Sequence, residues 1–141
     1  MKTQITQDAN PRKITKIILH CSATPEGRDV TAAQIDQWHR QRGFKMIGYH
    51  YVVRLDGTVE PGRSETVVGA HCSGQNSHSI GVCYIGGCDK NMKPKDTRTA
   101  AQRKALREIV ADLRRRYPRA TVHGHYEFAA KACPSFAVSD L

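Results

Sequence analysis

The sequence has no long hydrophobic run, and none of its apolar segments approaches the roughly 20 residues that cross a bilayer. The first eight residues carry a lysine but no apolar core, so they do not resemble a secretory signal. These absences exclude a membrane-spanning helix and predict that the protein is made in the cytoplasm without a signal peptide.

Paired cysteines and acidic residues are also scarce. The five cysteines are odd in number and include no C-x-x-C pair, so we expect reduced thiols rather than a disulfide framework. Only 13 Asp and Glu residues oppose 22 Lys and Arg residues, which gives a net charge of +9. That excess favours a polyanionic partner, which could be nucleic acid, an anionic membrane surface or an anionic cell wall.

The length of 141 residues predicts one domain with a single core. Residues 1–13 are polar and end near an Asn-Pro pair, which predicts a flexible N-terminal arm before a domain at 14–141. The apolar run Lys16–Cys21 predicts a buried strand. The positions that mark the remaining elements are two capping-box pairs and a hairpin turn: Thr31 with Gln34, Thr99 with Gln102, and Asp56-Gly57.

Those signals give an order of strand, helix, hairpin, strand, helix and strand. The first helix is predicted to run to about Gln41 and the second to about Arg116, and the last two strands to cover Ser79–Gly87 and Ala120–His123. Helices that alternate with sheet segments are typical of the α/β class. We therefore predict a single domain with a mixed central β-sheet flanked by α-helices.

A candidate site lies between residues 120 and 136, where imidazoles, an ammonium and a thiol stand close together. Histidine nitrogen and cysteine sulfur are ligands that zinc prefers, and Cys133 supplies the sulfur. His20 ends a predicted strand, where sites of open α/β sheets gather. Spacing alone leaves His123 and His125 as alternatives for the third ligand, and a core histidine beside a buried thiol is the competing explanation.

Two further histidines have simpler interpretations. His39 falls within the first predicted helix, with no metal partner nearby in the sequence, so we interpret it as a polar or half-buried helix residue. His71 lies among glycines, which predicts an exposed loop imidazole. Gly81, inside a predicted interior strand, suggests that another backbone approaches closely there.

Four segments in order resemble the small zinc N-acetylmuramoyl-L-alanine amidases, in particular the phage lysozyme-type members, whose fold is shared with animal peptidoglycan recognition proteins. The segments are Leu19-His20-Cys21-Ser22-Ala23-Thr24, Gly48-Tyr49-His50-Tyr51 with Arg54-Leu55-Asp56-Gly57-Thr58-Val59-Glu60, Asn76 with Ser79-Ile80-Gly81-Val82, and His125 through Lys131-Ala132-Cys133-Pro134-Ser135-Phe136.

The resemblance implies a peptidoglycan recognition protein-like fold and one zinc ion per chain, held by three ligands: His20, His125 and Cys133. It implies that Tyr49 and Lys131 are the catalytic side chains and that His71 lines the substrate groove. The implied reaction is hydrolysis of the peptidoglycan amide between N-acetylmuramic acid and L-alanine. The implied role is a phage or prophage endolysin that reaches the cell wall by a separate route, and we expect it to be a monomer.

Two other functions remain as alternatives. A peptidoglycan-binding module without catalysis would fit the fold, but Cys133 and Lys131 favour an enzyme. A regulator bound to a phage RNA polymerase or to nucleic acid is suggested by the basic charge alone, and the inhibition of phage RNA polymerase by phage relatives is not carried over to this chain. No nucleic-acid-binding motif supports the regulatory alternative.

Overall fold

The computed structural model of the chain describes residues 10–141. Within that range there are seven strands: β1 (Lys16–Cys21), β2 (Thr24–Pro25), β3 (Tyr51–Val53), β4 (Val59–Pro61), β5 (Ser79–Tyr84), β6 (Gly87–Cys88) and β7 (Thr121–Gly124). The same range contains two α-helices, α1 (Ala32–Gln41) and α2 (Ala100–Arg116), and three 3-10 helices, Asn76–His78, His125–Glu127 and Val138–Asp140. Neither α-helix is long and apolar enough to span a bilayer.

The main sheet has five strands in the order β4-β3-β5-β1-β7. β1 pairs in parallel with both β5 and β7, and β3 pairs in parallel with β5. β3 and β4 form the antiparallel hairpin predicted from Asp56-Gly57. The predicted mixed sheet with flanking helices is confirmed, and β2 and β6 add a small separate sheet that the sequence did not indicate.

The two faces of the main sheet carry separate cores, because neighbouring strand residues point to opposite sides. Ile17 and Leu19 of β1 face the larger core, which α2 covers. Ile35 of α1 packs in the smaller core on the other face, beside Val52 of β3. His20 follows Leu19 in the alternation and therefore faces the side of α1, where its ring centroid lies 5.1 Å from that of Tyr49.

Both α-helices begin where the capping boxes predict. Thr31 Oγ1 accepts a hydrogen bond from the Gln34 backbone N–H at 3.1 Å, and Gln34 Oε1 accepts from the Thr31 N–H at 2.9 Å. The same reciprocal pair joins Thr99 and Gln102 at 3.0 and 2.9 Å. These bonds satisfy two backbone donors that a helix start otherwise leaves free.

Part of the predicted N-terminal arm, residues 1–9, lies outside the described residues, and its flexibility stays a prediction. The part that is described contacts the domain. Asn10 Nδ2 donates to the Tyr117 hydroxyl at 2.8 Å. Arg12 donates to the carbonyls of Glu65 at 2.8 Å and Ser79 at 2.7 Å.

Glu65 is a buried carboxylate that joins α2 to the loop after β4. Both of its oxygens accept hydrogen bonds from Arg116, at 2.7 and 2.8 Å, and the hydroxyls of Tyr51 and Tyr117 also donate to it. Burial alone would raise the pKa of Glu65, but the Arg116, Tyr117 and Tyr51 donors outweigh it and lower that pKa.

We expect Glu65→Gln to lower the free energy of unfolding by about 1–3 kcal/mol at neutral pH, because the variant leaves buried donors without an anionic acceptor. A carboxylate with a depressed folded-state pKa stabilises the fold above its unfolded value of about 4.3 and loses that contribution as pH falls through the folded pKa. Urea unfolding of both proteins at decreasing pH should therefore show their difference shrinking in acid. Glu108→Gln, at an exposed pair with Lys104, is the matched control.

Candidate metal centre

Three of the side chains that the sequence assigned to one site converge in the structure. His20 lies near the end of β1, His125 begins the 3-10 helix after β7, and Cys133 follows in the next loop. One ligand atom from each residue lies within 4.8 Å of the other two. Zinc ligands lie about 2.0–2.3 Å from the ion, so small side-chain movements would bring all three within reach of one metal ion. The two-nitrogen, one-sulfur donor set fits zinc and leaves a fourth position for water.

Strand pairing explains why the two histidines meet. β1 and β7 run in parallel with Leu19 opposite Gly124, so the next residues, His20 and His125, emerge at the same sheet edge. Their ring centroids are 4.6 Å apart. The Cys133 sulfur reaches the same edge, 3.8 Å from His20 Nδ1. It also accepts a hydrogen bond from the Cys21 backbone N–H at 3.2 Å.

His123 does not join this cluster, although spacing alone left it equal to His125. β7 ends at Gly124, so the two-residue alternation stops before His125. The His123 ring lies on the exposed side, with Nε2 2.7 Å from Thr121 Oγ1 and Nδ1 2.8 Å from Glu127. Both nitrogens of the His123 imidazole therefore contact neighbouring side chains outside the cluster.

His71 is buried, and the prediction of an exposed loop imidazole is wrong. Its Nδ1 lies 2.8 Å from His20 Nε2, and its Nε2 lies 3.2 Å from Ser79 Oγ. Burial, followed by the neighbouring His50, lowers the pKa of His71 to about 3. Gly69, which has no side chain, lets the loop pack closely against the His71 ring, and His71 is buried as a result.

Burial also sets the protonation of the clustered groups. It is the main cause that lowers the pKa of His20 well below its usual value, and His71, His125 and Lys131 add to the effect. The neutral imidazole is the form that binds a metal ion. Burial raises the pKa of Tyr49 well above its usual value, so this phenol keeps its proton. The neighbouring Cys21, and then burial, raise the pKa of the Cys133 thiol, so a thiolate there needs a cation beside it.

A cleft opens beside the cluster. One part has a volume of about 380 Å³ and is lined by Cys21, Ser22, Ala23, Ile35, Trp38, His39, Arg42, Tyr49, His125, Lys131 and Cys133. A second part of about 410 Å³ is lined by Arg42, Phe44, Ala70, His71, Cys72, Ser73, Asn76, His125, Phe128, Ala129 and Lys131. Arg42, His125 and Lys131 belong to both, so the cleft continues past the cluster in two directions.

Sequence reasoning missed the contribution of α1 to this cleft. Trp38 of α1 packs against the smaller core and also lines the cleft, as does Arg42 just after the helix. The only available signal was a large aromatic residue near a helix end. His39 is buried, and its Nδ1 accepts from the Gly48 N–H at 2.9 Å, as a structural histidine does.

Comparison with known proteins assigns most of the described chain to one family. A family model described as N-acetylmuramoyl-L-alanine amidase matches residues 10–136. The endolysin of Klebsiella phage KP32 is 44% identical over 125 residues, which cover 89% of this chain and 83% of that protein. The endolysin of Escherichia phage T7 is 45% identical over 120 residues, 85% of this chain and 80% of that protein.

Solved structures give the same grouping. The N-acetylmuramoyl-L-alanine amidase LysC from Clostridium intestinale superposes with a TM-score of 0.80 at 27% identity, over 92% of this chain and 83% of that one. The Drosophila peptidoglycan recognition protein LB superposes with a TM-score of 0.74 at 24% identity, over 87% of this chain and 75% of that one. The second likeness concerns the fold alone.

Proposed function

This chain belongs to the N-acetylmuramoyl-L-alanine amidase family and cleaves peptidoglycan as an endolysin; we propose that His20, His125 and Cys133 hold the zinc ion that the reaction uses. The bond cleaved is the amide between the lactyl group of N-acetylmuramic acid and L-alanine. The observation that supports the zinc proposal is the convergence of these three side chains at one edge of the cleft.

When bound, the metal supplies a water of lowered pKa and a Lewis acid for the scissile carbonyl. The protein's own part begins with the ligands. His20 and His125 are disposed to bind as neutral imidazoles, and Cys133 must bind as a thiolate. The Cys21 backbone N–H, 3.2 Å from the Cys133 sulfur, is placed to stabilise that negative charge.

We assign Tyr49 and Lys131 to the chemistry because both line the cleft beside His125 and Cys133. Burial keeps the Tyr49 phenol protonated, so Tyr49 acts as a hydrogen-bond donor that orients the water or the substrate carbonyl. Lys131 is exposed within the cleft and carries the positive charge that stabilises a developing oxyanion.

The shape of the cleft agrees with a substrate that extends on both sides of the cleaved bond. Its two parts share Arg42, His125 and Lys131, so a sugar would lie on one side of these residues and a peptide on the other. A phage RNA polymerase partner and a monomeric state stay predictions.

The test uses the purified wild-type protein and purified peptidoglycan. We expect free L-alanine amino groups to appear without new reducing sugar ends, because an amidase leaves the glycan strand intact. Removal of metal by a chelator should reduce the rate to background, and added zinc should restore it. Circular dichroism before and after chelation controls for loss of the fold. Binding of peptidoglycan without release of amino groups would instead assign the chain to the recognition class.

A further inference from the structure

His71 makes a contact that lining a substrate groove does not explain. Its Nδ1 lies 2.8 Å from Nε2 of His20, on the side of the His20 ring away from Cys133. Its other nitrogen, Nε2, lies 3.2 Å from the hydroxyl of Ser79, the fully buried first residue of β5. Both ring nitrogens of His71 therefore have hydrogen-bond partners inside the protein, and neither is free to bind a ligand in the cleft.

Two glycines form the slot that holds this ring. A Cβ at Gly81 would lie only 2.6 Å from His71 Cγ, 2.7 Å from Cδ2 and 2.8 Å from Nδ1. A Cβ at Gly69 would lie 2.7 Å from His71 Cδ2. The close approach that Gly81 predicts from the sequence is therefore made by an imidazole ring rather than by another backbone. A side chain at either glycine would therefore clash with the His71 ring.

If His20 binds the metal through Nδ1, the hydrogen bonds assign each proton along this chain of side chains. His20 Nδ1 faces the sulfur of Cys133, so it carries the lone pair that a metal ion requires. The His20 proton then sits on Nε2 and is donated to His71 Nδ1. His71 consequently carries its own proton on Nε2 and donates it to Ser79 Oγ. Each donor meets an acceptor, and the arrangement holds His20 in the tautomer that binds through Nδ1.

We propose that His71, anchored by Ser79 and seated against Gly81, is a positioning residue that fixes the tautomer and ring orientation of His20 for metal binding. The inference rests on the proposed zinc site. Outer hydrogen-bond partners of this kind raise the basicity of a metal-binding histidine, and their loss costs about 10–100-fold in metal affinity or activity.

The test measures zinc affinity by competition with a chromophoric chelator, together with the visible spectrum of the cobalt-substituted protein. We expect His71→Leu to weaken zinc binding about 10–100-fold and to change the cobalt spectrum, because leucine offers no acceptor to His20. His71→Asn should recover most of the affinity, because its amide oxygen takes the place of Nδ1. His71→Gln should not, because its amide group takes the place of Nε2 instead.

The matched control is His78→Leu, at an exposed histidine whose Nδ1 lies 3.0 Å from the Lys13 carbonyl oxygen. It should bind zinc as the wild type does. Equal zinc affinity in wild type and His71→Leu would overturn the positioning role. If leucine prevents folding, the two amides make the same comparison, and equal affinity for asparagine and glutamine would overturn it. A wild-type protein that binds no zinc would overturn the underlying zinc proposal.

Discussion

Cys133→Ser is expected to abolish zinc binding and amidase turnover together while leaving the fold intact. Cys133 contributes the one sulfur of the three-residue cluster, and an alcohol is a far poorer zinc ligand than a thiolate at neutral pH. Loss of an outer hydrogen-bond partner lowers metal affinity about 10–100-fold, and loss of a ligand should lower it further. Turnover should fall to background, because two histidines alone hold the ion too weakly to keep it during the reaction.

The measurement pairs zinc content after dialysis with release of L-alanine amino groups from purified peptidoglycan. Cys88→Ser is the matched control, because Cys88 is another free cysteine, which is buried and lies outside the cluster. We expect that control to retain both zinc and turnover. Retention of full zinc content by Cys133→Ser would show that the sulfur is not a ligand. Loss of zinc with unchanged turnover would remove the metal from the reaction.

Local signals predicted most of the fold. The first strand was placed at its observed residues, Lys16–Cys21, because its apolar run is short and sharply bounded. Thr31 and Thr99 marked helix starts because a capping box depends only on residues three apart. The small sheet of β2 and β6 escaped prediction, because each strand is two residues long and no periodic pattern fits in two residues.

The site was only partly predictable, because its contacts join segments distant in the sequence. His20 could be placed at a sheet edge from its strand, but nothing local distinguishes His123 from His125 until β7 ends at Gly124. The contact between His20 and His71 spans 51 positions and depends on a loop without regular structure. A glycine-rich loop looks exposed in sequence, whereas here the glycines let it fold inward against β5.

Lys131→Ala is expected to retain zinc and lose most of the turnover. The Lys131 ammonium is close enough to the cluster to affect it electrostatically: burial first, and then its charge, lower the pKa of His125. It lines the cleft two residues before Cys133 and is exposed there, where a bound substrate would lie. Removing one group that stabilises an oxyanion costs about 10²–10³ in kcat.

The decisive comparison separates binding from catalysis. If Lys131 stabilises the transition state, the alanine variant lowers kcat and kcat/KM alike, whereas loss of a simple substrate contact would raise KM with kcat unchanged. Lys131→Arg keeps the charge and should recover part of the rate. Lys104→Ala, at an exposed lysine on α2, should leave kinetics unaltered. An unchanged kcat in Lys131→Ala would exclude this residue from the chemistry and leave Tyr49 as the remaining proposed donor, which Tyr49→Phe tests by the same assay.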